Sequence, residues 1–531
     1  EADVSAAAEA LRQRFDAEHA GFGFAPKFPT PHHALFLLRR AAVTGETDLT
    51  GMAVATLRAI RRGGVFDHVG GGLHRYSTDR TWLLPHFEKM LYDQALYSLA
   101  CAEGHLATGA PDLREAAEST LDYVLRDLRS PAGGLYSAED ADSLDADGHR
   151  EEGAFYVWTP RELADVLGPE DATLAAAVWG ATREGNYLDE ATRQRTGANV
   201  LHLPAPDLAE ADPLATAAQR LDLDVSDARD RLASIRQRLL ETREQRPRPL
   251  LDDKVLTDWN GLAVAALAVA GRVFGRSDYA EAARQAVAFL LGTMRTEDGL
   301  LHRYREGKAA IPGLLDDYAF LVWGLVELYQ TEFDEAHLEA ALRLHGQMRE
   351  RFENPEGGYF LSPEDAPDLI VRQRALDDGA LPAGNSVAVL NGLRLAALTG
   401  DSDLTDAAYR GLRVPETVRK HPSGFTHLMA AAAFAHGPSQ EIVLAGERGA
   451  SDTHALLAAV RSVYAPHAVV ALRTPGTGEA RLALLAPFTA AQESQDGRAT
   501  AYVCRDHACE TPTTNSDAAR AALAASVGRV P

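Results

Sequence analysis

Two kinds of helical pattern alternate along the chain. One kind is apolar on every face: WNGLAVAALAVAGRVF (259–274), YAFLVWGLVELY (318–329) and SVAVLNGLRLAAL (386–398). The other carries a single apolar stripe: YAEAARQAVAFLLGTM (279–294) and HLEAALRLHGQMRERF (337–352). A helix apolar all round is buried, and one with a stripe lies at the surface. The order predicts inner helices wrapped by outer ones.

The joints between them repeat. Gly-x-x-Asp-(Leu/Tyr) occurs at Gly45–Leu49, Gly109–Leu113, Gly275–Tyr279 and Gly400–Leu404, with a degenerate copy from Thr331 to Glu335. The glycine suits the left-handed residue that ends a helix. The aspartate suits the N-cap of the next, and Glu115 and Glu281 would complete capping boxes after Asp112 and Asp278. About twelve helices, roughly six hairpins, follow from these patterns. The expected fold is mainly α, an inner ring of helices wrapped by an outer ring; a stacked solenoid would give a similar pattern, but with repeats more regular in length. The return connections share Gly-aromatic turns at 70–79, 133–140, 298–304 and 357–365, and His-Arg-Tyr occurs at 74–76 and 302–304. They read as short hairpins over one end of the ring. The barrel is expected over 1–437, interrupted by an insertion at about 139–225. Residues 438–531 read as a small α/β unit with strands at 441–446, 468–473, 481–487 and 500–504.

Composition narrows the chemistry. The chain has 531 residues, 53 Lys+Arg and 76 Asp+Glu, for a net charge of −23. That sign disfavours nucleic acid and anionic membrane as partners. There is no bilayer-length apolar run and no signal-peptide core. Three cysteines are too few for a disulfide scaffold, and the spacing of Cys504 and Cys509 is poor for zinc. A cytoplasmic location is expected, with no metal and no cofactor. Glu1 is not a methionine, which suggests a fragment or a processed chain.

In such a ring the inner helices start at one end, and their starts are unusually polar: 85–94, 251–261, 315–321 and 382–388. Capping explains some of this polarity, but not His86, Glu88, Trp259 and Tyr318 on the same rim. Carboxylates and amides suit sugar hydroxyls, and aromatic rings suit sugar C–H faces. The expected catalytic residues are Glu88, His86, Asp93, Asp316 and Asp317. The expected substrate-binding residues are His74, Arg75, Tyr76, Trp82, Asp253, Asp258, Trp259, Asn260, Tyr318 and Asn385. Glu88 with Asp316 or Asp317 would be the acid/base pair of a glycosidase. Histidines moving a proton beside a carbonyl would instead make an epimerase or isomerase. A non-catalytic module that binds a glycan or a protein client is the rival from another class. Gly70-Gly71-Gly72 has neither the Lys-Ser/Thr of a phosphate loop nor a dinucleotide fingerprint, the calcium-like spelling around Asp140 and Asp142 has no clear register or terminal Glu and carries little weight, and no Gly-x-Ser-x-Gly occurs.

The segments 21–29, 63–95, 133–143, 151–159, 246–262, 381–388 and 502–512 resemble the spermatogenesis-associated protein 20 family and its bacterial YyaL-like relatives. The resemblance runs from about residue 20 to the C-terminus. It implies a six-hairpin barrel similar to N-acylglucosamine 2-epimerases and cellobiose epimerases, and so a small-molecule carbohydrate by fold analogy. The family usually carries a thioredoxin-like domain ahead of the barrel. That domain is not in this sequence, and it is an expected partner.

Overall fold

The computed structural model describes residues 1–145, 147–188, 194–204, 212–364, 371–413, 416–437, 439–505 and 508–525. Helix α1 (Ala2–Arg14) precedes two hairpins, α2 (Pro31–Thr44) with α3 (Thr47–Arg62) and α4 (Leu91–Thr108) with α5 (Pro111–Asp127). Four helices then break the pattern: α6 (Pro160–Leu167), α7 (Pro169–Trp179), α8 (Pro213–Arg220) and α9 (Val225–Arg243). Hairpins resume as α10 (Thr257–Phe274) with α11 (Ser277–Thr293), α12 (Leu315–Glu332) with α13 (Glu335–Phe352), and α14 (Gly384–Thr399) with α15 (Ser402–Gly411). The short α16 (Glu416–Lys420) leads to α17 (Thr426–His436).

Helices α2, α4, α10, α12, α14 and α17 pack in that order, and α17 returns to α2, which closes an inner ring. Helices α3, α5, α11, α13, α15 and α1 pack outside it. The fold is therefore an (α/α)6 barrel. The helices apolar on all faces are the inner ones, as their pattern predicts.

The repeated joints are half as expected. Gly45, Gly109, Gly275 and Gly400 end their helices in the left-handed conformation, with φ of 74°, 73°, 72° and 75°. The aspartates do not cap, with the exception of Asp334 in the degenerate copy. Asp48, Asp112, Asp278 and Asp403 are the second residue of their helices, after N-caps Glu46, Ala110, Arg276 and Asp401. A carboxylate in the first turn still meets the positive end of the helix dipole. Three of them take an arginine instead: Asp48 with Arg12 and Asp112 with Arg58 at 2.6 Å, and Asp278 with Arg276 at 2.7 Å.

The insertion has its own hydrophobic core, with Trp158, Leu163, Leu174, Trp179, Ile235 and Leu239 at its centre. It extends through α9, past the limit near 225 read from the sequence. Residues 189–193 and 205–211 within it, residue 438 at the expected boundary, and 526–531 lie outside the described residues.

After the barrel, strands Gln440–Ala445 and Ala468–Arg473 pair in parallel across α18 (Ser451–Arg461). Thr500–Arg505 pairs antiparallel on the other side of the first strand, followed by Ala508–Cys509. The segment expected as a strand at 481–487 instead lies mostly in α19 (Thr477–Leu485), and α20 (Ser516–Ala524) ends the described chain. Cys504 and Cys509 form a disulfide between paired strands, so the cysteine count no longer argues for a reducing compartment. Among the described residues no helix is long and apolar enough to cross a membrane.

A candidate acid–base site at the mouth of the barrel

The inner helices begin beside the short strands of the return connections, and one device fixes these strands over the mouth. The fourth residue of α4, Gln94, accepts from the Leu73 N–H at 2.6 Å and donates to the Leu73 carbonyl at 2.8 Å. The fourth residue of α10, Asn260, holds Leu135 in the same way, at 2.8 and 2.9 Å. Asn385 of α14 holds Tyr359 at 2.7 and 2.8 Å. In α12 the Tyr318 hydroxyl accepts from the Leu300 N–H at 2.9 Å. Each gripped residue follows the glycine of a return turn. Asn260, Tyr318 and Asn385, expected to bind ligand, are therefore buried clamps.

One residue earlier or two, the same helix starts carry carboxyls. Asp317 is fully buried and fully engaged. Its Oδ1 accepts from the Asp258 N–H at 3.1 Å, its Oδ2 from the Leu314 N–H at 2.8 Å, and His302 Nδ1 lies 3.0 Å from Oδ1. The hydrogen bond to Asp317 raises the His302 imidazole to about 9. Burial, and then the Asp317 charge, push the Asp258 carboxyl up to about 8. The same two causes raise the neighbouring Asp316 to about 6. Asp316 has no hydrogen-bond partner for its carboxyl among the described residues, and it lies against Gly384, where an added Cβ would sit 1.9 Å from its Oδ1. Asp258, His302 and Asp317 bring ligand atoms within 4.8 Å of one another, a donor set that could also hold a divalent cation.

Across the mouth, Glu88 pairs with Arg75 at 2.8 Å and with His86 Nε2 at 3.2 Å. His86 Nδ1 lies 2.7 Å from Glu152, and that hydrogen bond raises the imidazole above its ordinary value. Tyr76 stacks on His86. Beneath them Asp93 is buried with Oδ2 unpartnered, and burial holds its carboxyl well above the usual range. Tyr92 hydrogen-bonds Arg75 and meets the half-buried Trp259 edge-on, with ring centroids 4.8 Å apart. The Tyr92–Trp259 contact thus links the Arg75–Glu88 pair to the start of α10.

Two further expected residues lie away from the mouth. Trp82 is buried and donates to the carbonyls of His19 and Ala20, at 3.2 and 3.3 Å. His74 is buried between Phe87 and Tyr156, and burial lowers it to about 3. Asp253 pairs with Arg305 at 2.7 Å on the rim. His302, Tyr92 and Glu152 were not among the residues expected at the site. The second His-Arg-Tyr was the signal for His302. Tyr92 stood inside the polar helix start 85–94, and Glu152 stood inside 151–159, a segment that carries the family resemblance but that was not placed at the mouth because the insertion carries it.

No family model matches the chain. It is 36% identical to human spermatogenesis-associated protein 20 over 95% of this chain and 67% of the relative, and 35% identical to the Rattus norvegicus protein with the same coverage. Solved structures similar to it include a sugar epimerase from a ruminal bacterium (16% identity, 68% of this chain and 92% of that one, TM-score 0.31). A GH76 α-mannanase from Bacteroides thetaiotaomicron is another (9%, 82% and 94%, TM-score 0.47). A third is the unsaturated glucuronyl hydrolase of Bacillus sp. GL1 (11%, 81% and 94%, TM-score 0.43).

Proposed function

The chain belongs to the spermatogenesis-associated protein 20 family, and from that premise we propose that its barrel is a carbohydrate-active enzyme that hydrolyses a glycosidic bond at the mouth. The observation that carries the reading is the split between two neighbouring carboxyls. At neutral pH Asp258 keeps its proton and Asp316 has lost most of its own. Glycoside hydrolysis needs one carboxyl of each kind beside the scissile bond. Asp258 is the proton donor to the leaving oxygen. Asp316 is the carboxylate, and Asp317 and His302 position the pair. The half-buried Trp259 offers apolar surface to a sugar ring, while Arg75, His86 and Glu88 offer partners for its hydroxyls.

The same geometry weighs against epimerisation. A histidine base must be neutral and reach the substrate, yet His86 and His302 sit beside carboxylates that favour the imidazolium, and His74, which is neutral, is buried away from the mouth. A panel of chromogenic glycosides tests the proposal. Turnover should fall about 10²–10⁴-fold in Asp258→Asn, and kcat/KM should be bell-shaped with limbs near 6 and 8. Binding of a sugar without turnover, unchanged in Asp258→Asn, would favour the non-catalytic module.

A further inference from the structure

A cavity lies at the end of the barrel opposite the mouth, between the last turns of the inner helices and the C-terminal α/β unit. Arg448 and Arg461 of that unit dock it there: they donate to the carbonyls of Glu332 and Phe333, and of Gln330 and Thr331, at the end of α12. The cavity wall carries four guanidiniums, Arg39, Arg272, Arg394 and Arg461, but only two carboxylates, Glu103 and Glu327. Both carboxylates are already engaged. Glu103 takes Arg39 at 2.6 Å and the Tyr464 hydroxyl at 2.8 Å. Glu327 takes Arg272 at 2.6 Å and Arg394 at 2.7 Å. Arg461 makes its hydrogen bonds to main-chain carbonyls, and burial together with Arg272 lowers it to about 10.

We infer that this cavity is a binding site for a small oxyanion, a phosphate or carboxylate group held by Arg461 and the guanidiniums beside it. Buried positive charge without a matching anion is unfavourable, and a planar guanidinium fork is suited to oxyanions. The ends of the inner helices offset only part of this charge. Arg461 meets two carbonyls at the end of α12, Gly45, Gly109, Gly275 and Gly400 each donate one N–H to a single carbonyl at four other ends, and a helix end carries only about half a negative charge, not an anion. The site is separate from the mouth, because its residues come from the C-terminal halves of the inner helices and from the α/β unit.

Titration calorimetry and thermal shift on the full chain, with inorganic phosphate, pyrophosphate and malonate, test this, with malonamide as the uncharged control. At least one anion should bind and raise Tm, and the one that does separates a phosphate ligand from a carboxylate. Affinity should fall about tenfold or more in Arg461→Met. It should rise in Glu103→Gln, which removes a competing charge while keeping an acceptor for Arg39. Binding should persist in Asp258→Asn, which separates this site from the mouth. No response to any of the three anions up to about 10 mM would overturn the inference. A response that both Arg461→Met and Glu103→Gln leave unchanged would also overturn it, and if Arg461→Met does not fold, the direction in Glu103→Gln decides alone.

Discussion

His74 and His302 occupy the same place in two copies of His-Arg-Tyr, and their surroundings drive them apart. Burial beside Lys89 makes His74 a neutral wedge, whereas Asp317 makes His302 a cation. A tripeptide cannot encode this difference, because the partner comes from another helix. The same limit explains Asn260, Tyr318 and Asn385. A polar residue at a helix start reads alike whether it faces the lumen or clamps a returning strand. Asp258, Trp259 and Asp316 do stand in the first turns of inner helices, where the polar helix starts of the sequence put them. Asp317 is testable through its charge. In Asp317→Asn the repulsion that helps raise Asp258 is gone, so the alkaline limb of kcat/KM, near 8 in the parent, should move to lower pH by about one unit. An unmoved limb would remove Asp258 from the acid role. Stability gives a second reading of the same group. Its folded-state pKa is raised, so its contribution is fully present below about 4 and is lost as pH rises through about 8. Asp258→Asn should therefore gain stability over the parent at pH 9 and not at pH 4, by denaturant midpoint.

At the scale of elements, the six hairpins were visible because apolar periodicity and the left-handed glycine are local properties. The capping assignment was wrong by two positions in four joints, because Ser, Thr, Pro and Asp all suit a first turn and only backbone geometry fixes which residue caps. The strand clamps were invisible, since each joins a helix to a segment well separated in sequence. They predict that stability and function separate at neighbouring positions. Asn260→Ala strands the Leu135 and Leu256 groups it now satisfies, a loss of roughly 3 kcal/mol at about 1 kcal/mol per hydrogen bond. Trp259→Ala should leave the fold near its parent stability and weaken ligand binding. Equal stability losses in the two variants would mean that Trp259 is core. Gly384→Ala tests the adjacent close approach. Alanine suits a helix, but its Cβ must displace the Asp316 carboxyl, so turnover should fall about tenfold with little change in Tm.

At the scale of the molecule, the insertion reaches the candidate site through Glu152. It was legible only as an interruption, because its helices bury a core of their own and its contacts to the barrel, an apolar cluster around Phe87 and Tyr156 and a few charged residues, join segments far apart in sequence. Glu152 holds His86, and Arg243 enters the barrel to meet Asp67 at 2.8 Å on both oxygens, where Lys89 also lies at 2.8 Å. All three of these buried groups lie against Tyr156 or Tyr123. Burial alone would raise the Asp67 carboxyl, but Arg243 and Lys89 hold it well below its ordinary value. Arg243→Met should then cost about 3–5 kcal/mol at pH 7, since it leaves a buried carboxylate with one partner. The Asp67 contribution is present above about 4 and is lost as pH falls through its depressed value, so the gap between parent and variant should narrow toward pH 3. Urea denaturation at the two pH values measures both quantities. Because Lys89 is next to Glu88, a loosened anchor should also reach the mouth, with KM rising more than kcat falls. A variant that loses stability with KM unchanged would show that the insertion braces the barrel without shaping the site.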